Sequence, residues 1–139
     1  MATLKEYRDI RIEKLNKLKG LGVNPYPAET NKTHTNNEIV DKFSDLEGKT
    51  VAVAGRIVSI RTHSKLCFID LKDASGKVQL YIKEDTLGKP KYENSEIGFS
   101  ELNLLDTGDF VESTGLVVKT KTGEISVEAK SIRILTKAL

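Results

Sequence analysis

Cys67-Phe68-Ile69-Asp70-Leu71-Lys72-Asp73, then Ala74-Ser75-Gly76, then Lys77-Val78-Gln79-Leu80-Tyr81-Ile82-Lys83: these residues alternate between apolar and polar on both sides of a short turn. Successive side chains on a strand point to opposite faces, so Cys67, Ile69 and Leu71 share one face and Phe68, Asp70 and Lys72 the other. Val78, Leu80 and Ile82 likewise oppose Lys77, Gln79, Tyr81 and Lys83. Two alternating runs joined by Ala74-Ser75-Gly76 read as a hairpin. The aliphatic sets line a core. Phe68 and Tyr81 then stand on the outer, polar face beside Gln79 and three lysines.

Upstream, residues 50–60 keep the same period of two, with Gly55 placed where a barrel strand can bend. Downstream, residues 92–105 are polar, and Ile97, Phe99, Leu102 and Leu105 fall at the spacing of one helical face. Residues 109–120 and 124–135 alternate again and are joined at Lys121-Thr122-Gly123. Three strands, a helix and two strands make up the order of an OB-fold. That is a mainly β, five-stranded Greek-key barrel, which binds oligonucleotides or oligosaccharides on its strand 2–3 face. SH3-like barrels do not call for a helix between the third and fourth strands.

Residues 1–49 read as a helical appendage and connector ahead of a barrel at 50–139. Thr3 and Glu6 form a Thr-x-x-Glu capping box. Leu4, Tyr7, Leu15 and Leu18 follow at helical spacing, with Gly20 or Gly22 as the stop. The cations Lys5, Arg8, Arg11, Lys14 and Lys17 coat a broad face, which suits a solvated helix or a phosphate-contacting one. Asn24-Pro25-Tyr26-Pro27 is an extended connector, because each proline pushes its predecessor out of the α region. Thr35 and Glu38 cap a second, short helix that fades near Ser44.

Bulk composition narrows the class. The 139 residues are 38% hydrophobic and 30% charged, as expected of one globular domain with a modest appendage. Net charge is +2 and the pI about 8.6, below the value of roughly 9 that flags nucleic-acid binders. Charge therefore supports RNA only weakly. No apolar run approaches the ~20 residues of a membrane span. The opening Met1-Ala2-Thr3-Leu4-Lys5-Glu6 has no apolar stretch of the kind a secretory signal needs. Cys67 is the only cysteine, which excludes an internal disulfide and suits a reducing cytosol. A cytoplasmic protein with no membrane contact is expected.

An aromatic among lysines on the strand 2–3 face is the outline of a base-stacking platform. Alternation alone equally allows Phe68 to pack under a loop or the first helix, and it favours a structural role for Tyr81. Two flanking segments could grip a ligand: Arg61-Thr62-His63-Ser64-Lys65 between strands one and two, and Lys119-Thr120-Lys121-Thr122-Gly123-Glu124 between strands four and five. Arg61 can donate to a uracil carbonyl, and Glu124 can accept from an N–H or a ribose hydroxyl. Gln79 can do both with one amide. Lys65, Lys72, Lys119 and Lys121 are the candidate phosphate contacts.

The ordered set of motifs also resembles a known family. Asn24-Pro25-Tyr26-Pro27, Val53-Ala54-Gly55-Arg56, Phe68-Ile69-Asp70-Leu71, Val78-Gln79-Leu80-Tyr81, Asp106-Thr107-Gly108-Asp109, residues 119–124 and the closing Leu135-Thr136-Lys137-Ala138-Leu139 carry the likeness. The chain is similar to the N-terminal anticodon-binding domain of class II lysyl-tRNA synthetases. The aspartyl and asparaginyl enzymes share the barrel and the Phe and Gln positions, whereas the 119–124 loop and the Asn-Pro-Tyr-Pro entry look lysyl. The resemblance implies that Phe68 stacks on the central anticodon uridine, and that Arg61, Gln79 and Glu124 hydrogen-bond anticodon bases. The expected partners are the anticodon stem-loop of lysine tRNA and a C-terminal catalytic domain, within a homodimeric parent. ATP and Mg would serve that catalytic domain, and no cofactor is expected here. The chain looks like a trimmed domain of a larger synthetase or a free-standing relative.

A general single-strand binder and a protein-interaction barrel are the competing readings. Catalysis by the chain itself has little support. His34 and His63 lie far apart in sequence, and with one cysteine they offer no zinc-ligand spacing. Gly20-Leu21-Gly22 lacks the rest of a phosphate-loop fingerprint and serves better as a helix stop. Asp70 and Asp73 read as ordinary strand and turn residues.

Overall fold

The computed structural model describes residues 3–27 and 29–139. Met1 and Ala2, which open the stretch read above for a targeting signal, lie outside them, as does Ala28. Among the described residues no helix is long and apolar enough to cross a membrane.

The alternating segments form β1 (Thr50–His63), β2 (Leu66–Lys72), β3 (Lys77–Lys83), β5 (Phe110–Lys119) and β6 (Ile125–Thr136), with a two-residue β4 (Glu96–Ile97) between them. β1 is long enough to serve two partners: Thr50 to Arg56 pair with β5, and Arg56 to His63 pair with β2. Gly55 sits at the changeover. A Cβ there would lie 2.7 Å from the Lys72 carbonyl oxygen, so only glycine lets the backbones approach this closely. β2 pairs with β3 and β5 with β6, all antiparallel. A short parallel ladder between β3 and β6, Gln79 to Tyr81 against Ser126 to Glu128, closes the ring. The five-stranded barrel expected from the alternation is present, and β4 adds a short antiparallel strand beside β6.

The interior holds Val53, Ile57, Cys67, Ile69, Leu71, Leu80, Ile82, Val111, Val117, Val127, Ile132 and Ile134. These are the aliphatic faces read from the period of two. Burial pushes the Cys67 thiol up from its ordinary pKa, which keeps it an inert packing group.

Two elements differ from the sequence reading. β1 runs three residues past 60, so Arg61, Thr62 and His63 pair with Phe68, Cys67 and Leu66 and belong to the strand. The turn is only Ser64-Lys65, with Ser64 in the left-handed region at φ 56. The polar side chains there disguise a strand whose outer face is wet. The helix between the third and fourth strands takes the form of two 3-10 turns, Tyr92–Asn94 and Phe99–Leu104, separated by β4. Ser95 at φ 64 breaks the helical path, yet Ile97, Leu102 and Leu105 are buried as their spacing required.

Helix α1 (Leu4–Gly20) begins at the Thr3/Glu6 capping box. It ends in a Schellman turn: Gly22, at φ 88, donates to the Lys19 carbonyl, and Val23 donates to that of Leu18. Only the second half of its apolar stripe is used. Leu15 and Leu18 are buried, while Leu4 and Tyr7 are 89% and 53% exposed. Helix α2 (Asn36–Asp41) starts at the Thr35/Glu38 box, and α3 (Phe43–Leu46) follows it. The buried Asn36 amide donates to the Leu71 and Gly76 carbonyls, fastening α2 to the β2–β3 turn. That turn is organised by Asp73, whose Oδ1 accepts from the Ser75 and Gly76 N–H groups.

The Asp106-Thr107-Gly108-Asp109 and Lys137-Ala138-Leu139 motifs meet in a buried ion cluster. Lys137 Nζ lies 2.8 Å from Asp106 and 2.9 Å from Asp109, and Lys14 of α1 reaches Asp106 at 2.7 Å. Partial burial alone would push the Asp106 carboxyl up. The hydrogen bonds and charges of Lys137 and Lys14 outweigh it and hold the group below its ordinary pKa. A lowered pKa stabilises the fold fully above the unfolded value of about 3.9, and that contribution is lost as the pH falls through the folded value. Urea unfolding followed across pH should therefore show the wild type losing stability below about pH 4 more steeply than Lys14→Met, which lacks one of the two donors.

Candidate nucleic-acid interface

The pairing register sets the outer side chains of four strands in rows. One row runs Arg61, Phe68, Tyr81, Glu128, and the row beside it runs Ser59, Asp70, Gln79, Ser126. A bulge at Val58 shifts β1 by one residue, and this brings Ser59 and Arg61 onto the same face as Phe68 and Asp70.

The rings of Phe68 and Tyr81 are stacked nearly parallel, 12° apart with centroids 5.3 Å apart. Both are half-buried. The Arg61 guanidinium lies 5.9 Å from the Phe68 ring centre, and Lys83 Nζ 5.6 Å from that of Tyr81. Arg61 donates to Asp70 at 2.9 Å and to Gln79 Oε1 at 3.1 Å. Gln79 Nε2 donates to Ser126 at 2.9 Å. Partial burial would raise the Asp70 carboxyl, but hydrogen bonds from Arg61 and Ser59 and the charges of Arg61 and Lys77 hold it below its ordinary pKa.

This patch floors an open cavity of about 450 Å³. Thr120, Lys121 and Thr122 of the β5–β6 hairpin form one wall, and His63 and Leu66 the other. A flat apolar surface, one amide and two cations within such a cleft suit a nucleobase and its phosphate. A second cavity of about 440 Å³, over the outer face of β5 and β6, is lined by Glu93, Glu96 and Glu112 against Arg133, with no aromatic. Its carboxylates would repel a phosphate chain.

The structure brings together Arg61, Phe68, Gln79 and Lys121. Gln79, expected on an open face, is only 8% exposed, because β6 closes against β3 beside it. Glu124 is exposed just past the hairpin turn, its backbone paired with Thr120, and it does not line the cavity. Lys65 and Lys72 are exposed at the β1–β2 turn and the end of β2. Lys119 turns to α3, with its Nζ 5.1 Å from the Phe43 ring centre. Ser59 and Ser126 were not legible from the sequence, since the bulge and the β3–β6 ladder place them. Asp70 shared a face with Phe68 in the alternation, but nothing local marked its partner. Among the described residues no three His, Cys, Asp or Glu side chains converge as a metal site requires.

A family model of the OB-fold nucleic acid binding domain matches residues 51–135. The chain is 40% identical over 137 residues to a lysine–tRNA ligase of Thermoanaerobacter sp. (strain X514), covering 98% of the chain and 26% of that protein. It is 42% identical over 136 residues to the lysine–tRNA ligase of Carboxydothermus hydrogenoformans, with the same coverage. Over 130 residues it is 42% identical to that of Clostridium novyi, covering 93% of the chain and 24% of the relative. The chain thus spans about a quarter of the length of the relatives it matches. The family match runs from the second residue of β1 to within one residue of the end of β6, and the chain belongs to the OB-fold nucleic acid binding domain family.

Proposed function

We propose that this chain binds the anticodon loop of a lysine tRNA, taking a uridine into the cleft of Phe68, Gln79 and Arg61. The observation that carries this reading is the outer patch of β1–β3: a parallel aromatic pair flanked by an amide and a guanidinium, beside the Thr120–Thr122 wall. The names of the relatives supply the tRNA, and the family supplies the nucleic acid. Phe68 stacks on the base, Gln79 and Arg61 read its edge, Glu124 hydrogen-bonds an anticodon base, and Lys65, Lys72, Lys119 and Lys121 meet phosphates. Residues 50–139 are the binding barrel and residues 1–49 its helical appendage. Joining lysine to tRNA, with ATP and Mg, belongs to the part of a ligase that this chain does not span. The setting is the cytoplasm, with a homodimeric ligase as the parent.

The test is binding of the chain to lysine-tRNA anticodon stem-loops carrying uridine or cytidine at the central position, at physiological salt. Preference for uridine supports the reading. Equal binding with a steep salt slope, about −0.7 per phosphate contacted, makes the chain a general single-strand binder. No binding to either loop removes the RNA reading and points to a protein partner.

A further inference from the structure

Gln79 sits in a polar chain that runs from Ser59 and Asp70 through Arg61 to Ser126. Ser59 Oγ–H donates to Asp70 Oδ2 at 2.6 Å, which leaves the Ser59 oxygen to accept from Arg61 Nη1 at 3.0 Å. Asp70 Oδ2 accepts from the same Nη1 at 2.9 Å. The guanidinium is thereby turned so that Nη2 meets Gln79 Oε1 at 3.1 Å. At the other end Ser126 Oγ accepts the Gln79 Nε2 hydrogen at 2.9 Å, and its own hydroxyl donates to the Glu124 carbonyl at 3.3 Å. A guanidinium has donors and no acceptor. Reversing the amide would set its NH₂ against the Arg61 donors, whereas the Ser126 hydroxyl can rotate to serve either orientation. The Arg61 end therefore holds the amide one way round.

We infer that Asp70 and Ser59 are positioning residues that, through Arg61, lock the orientation of the Gln79 amide, and that this lock sets which pyrimidine the cleft accepts. The inference rests on the anticodon reading given above. The held amide offers a base one free N–H on Nε2 and one free lone pair on Oε1, in fixed order. Uracil presents a carbonyl at position 4 and an N–H at position 3. Cytosine presents an amino group and a bare ring nitrogen at those positions, which is the inverse order. With the ring held on Phe68, one amide orientation pairs with uracil and the reversed one with cytosine. Freeing the amide to turn makes the cleft tolerant of both.

The experiment compares wild type, Asp70→Ala, Asp70→Asn and Ser59→Ala, each with native melting and native amide spectra, against stem-loops with central uridine or cytidine. The readout is the ratio of the two affinities. One bidentate base contact discriminates by roughly 5- to 150-fold, so Asp70→Ala and Ser59→Ala should each lower the ratio by about tenfold, chiefly by improving cytidine binding. Asp70→Asn, which keeps an oxygen for Arg61, should fall between them and wild type. In the free protein, the Gln79 side-chain amide should give one set of NMR signals with an Nε2–H contact to Ser126, and that contact should fade in Asp70→Ala. A uridine preference that survives unchanged in both alanine variants overturns the lock alone. Equal binding of the two loops by the wild type overturns the anticodon reading and the lock's part in specificity together.

Discussion

Asp109→Ala should destabilise the domain by about 3–5 kcal/mol, the cost of leaving a buried charge without its partner. Lys137 and Asp109 are both fully buried, so neither can turn to water when the other is removed. Asp106 would still face Lys137 at 2.8 Å, but it is shared with Lys14 and cannot replace the lost carboxylate. Asp109 does more than balance charge. Its oxygens also accept the Asp106 N–H at 2.8 Å and the Ala138 N–H at 2.7 Å, so its loss strands two backbone donors. Urea unfolding should show the loss as a fall in midpoint, and melting should drop by on the order of 10 °C. Asp109→Leu with Lys137→Met removes both charges and should recover part of the loss. The two unpaired N–H groups keep it from recovering all. A single Asp109→Ala variant within 1 kcal/mol of wild type would mean that the cluster lets in water and its ion pairs contribute little.

That cluster also shows what the sequence could and could not disclose. The strands and their inward faces were readable because alternation is local, and Ile69, Leu80 and Val127 are buried as their periodicity required. Both capping boxes were readable for the same reason, since donor and acceptor lie three residues apart. Lys137 was not readable: a lysine near a chain end looks solvated until residues 106–109 and α1 fold over it. The candidate site divides along the same line. Phe68 and Gln79 could be placed from single strands. Tyr81, read as leaning towards structure, stacks on Phe68 in the cleft, because the two stand directly opposite in the β2–β3 register. Ser126 joins them only through a parallel ladder between strands far apart in sequence.

Phe68→Ala should weaken binding to the anticodon stem-loop by about 1–3 kcal/mol, some 5- to 150-fold, which is the worth of one stacked base. The side chain is half-buried and its main aromatic contact is Tyr81, so the variant should fold with only a modest loss of stability. The salt dependence separates stacking from charge. Removing an uncharged ring releases no counterions, so log affinity should fall with log salt at the wild-type slope while the whole line shifts down. Lys121→Ala, on the wall of the same cleft, should instead flatten the slope by about 0.7 if its ammonium meets a phosphate. Phe68→Leu keeps apolar bulk without a flat π face and should fall nearer to Ala than to wild type. Should Phe68→Ala leave affinity unchanged, the Phe68–Tyr81 stack is packing for the outer face of the hairpin, and the base must be held elsewhere along β1–β3. A fall in affinity at constant slope instead locates the base on the ring, because only a contact without phosphate charge behaves that way.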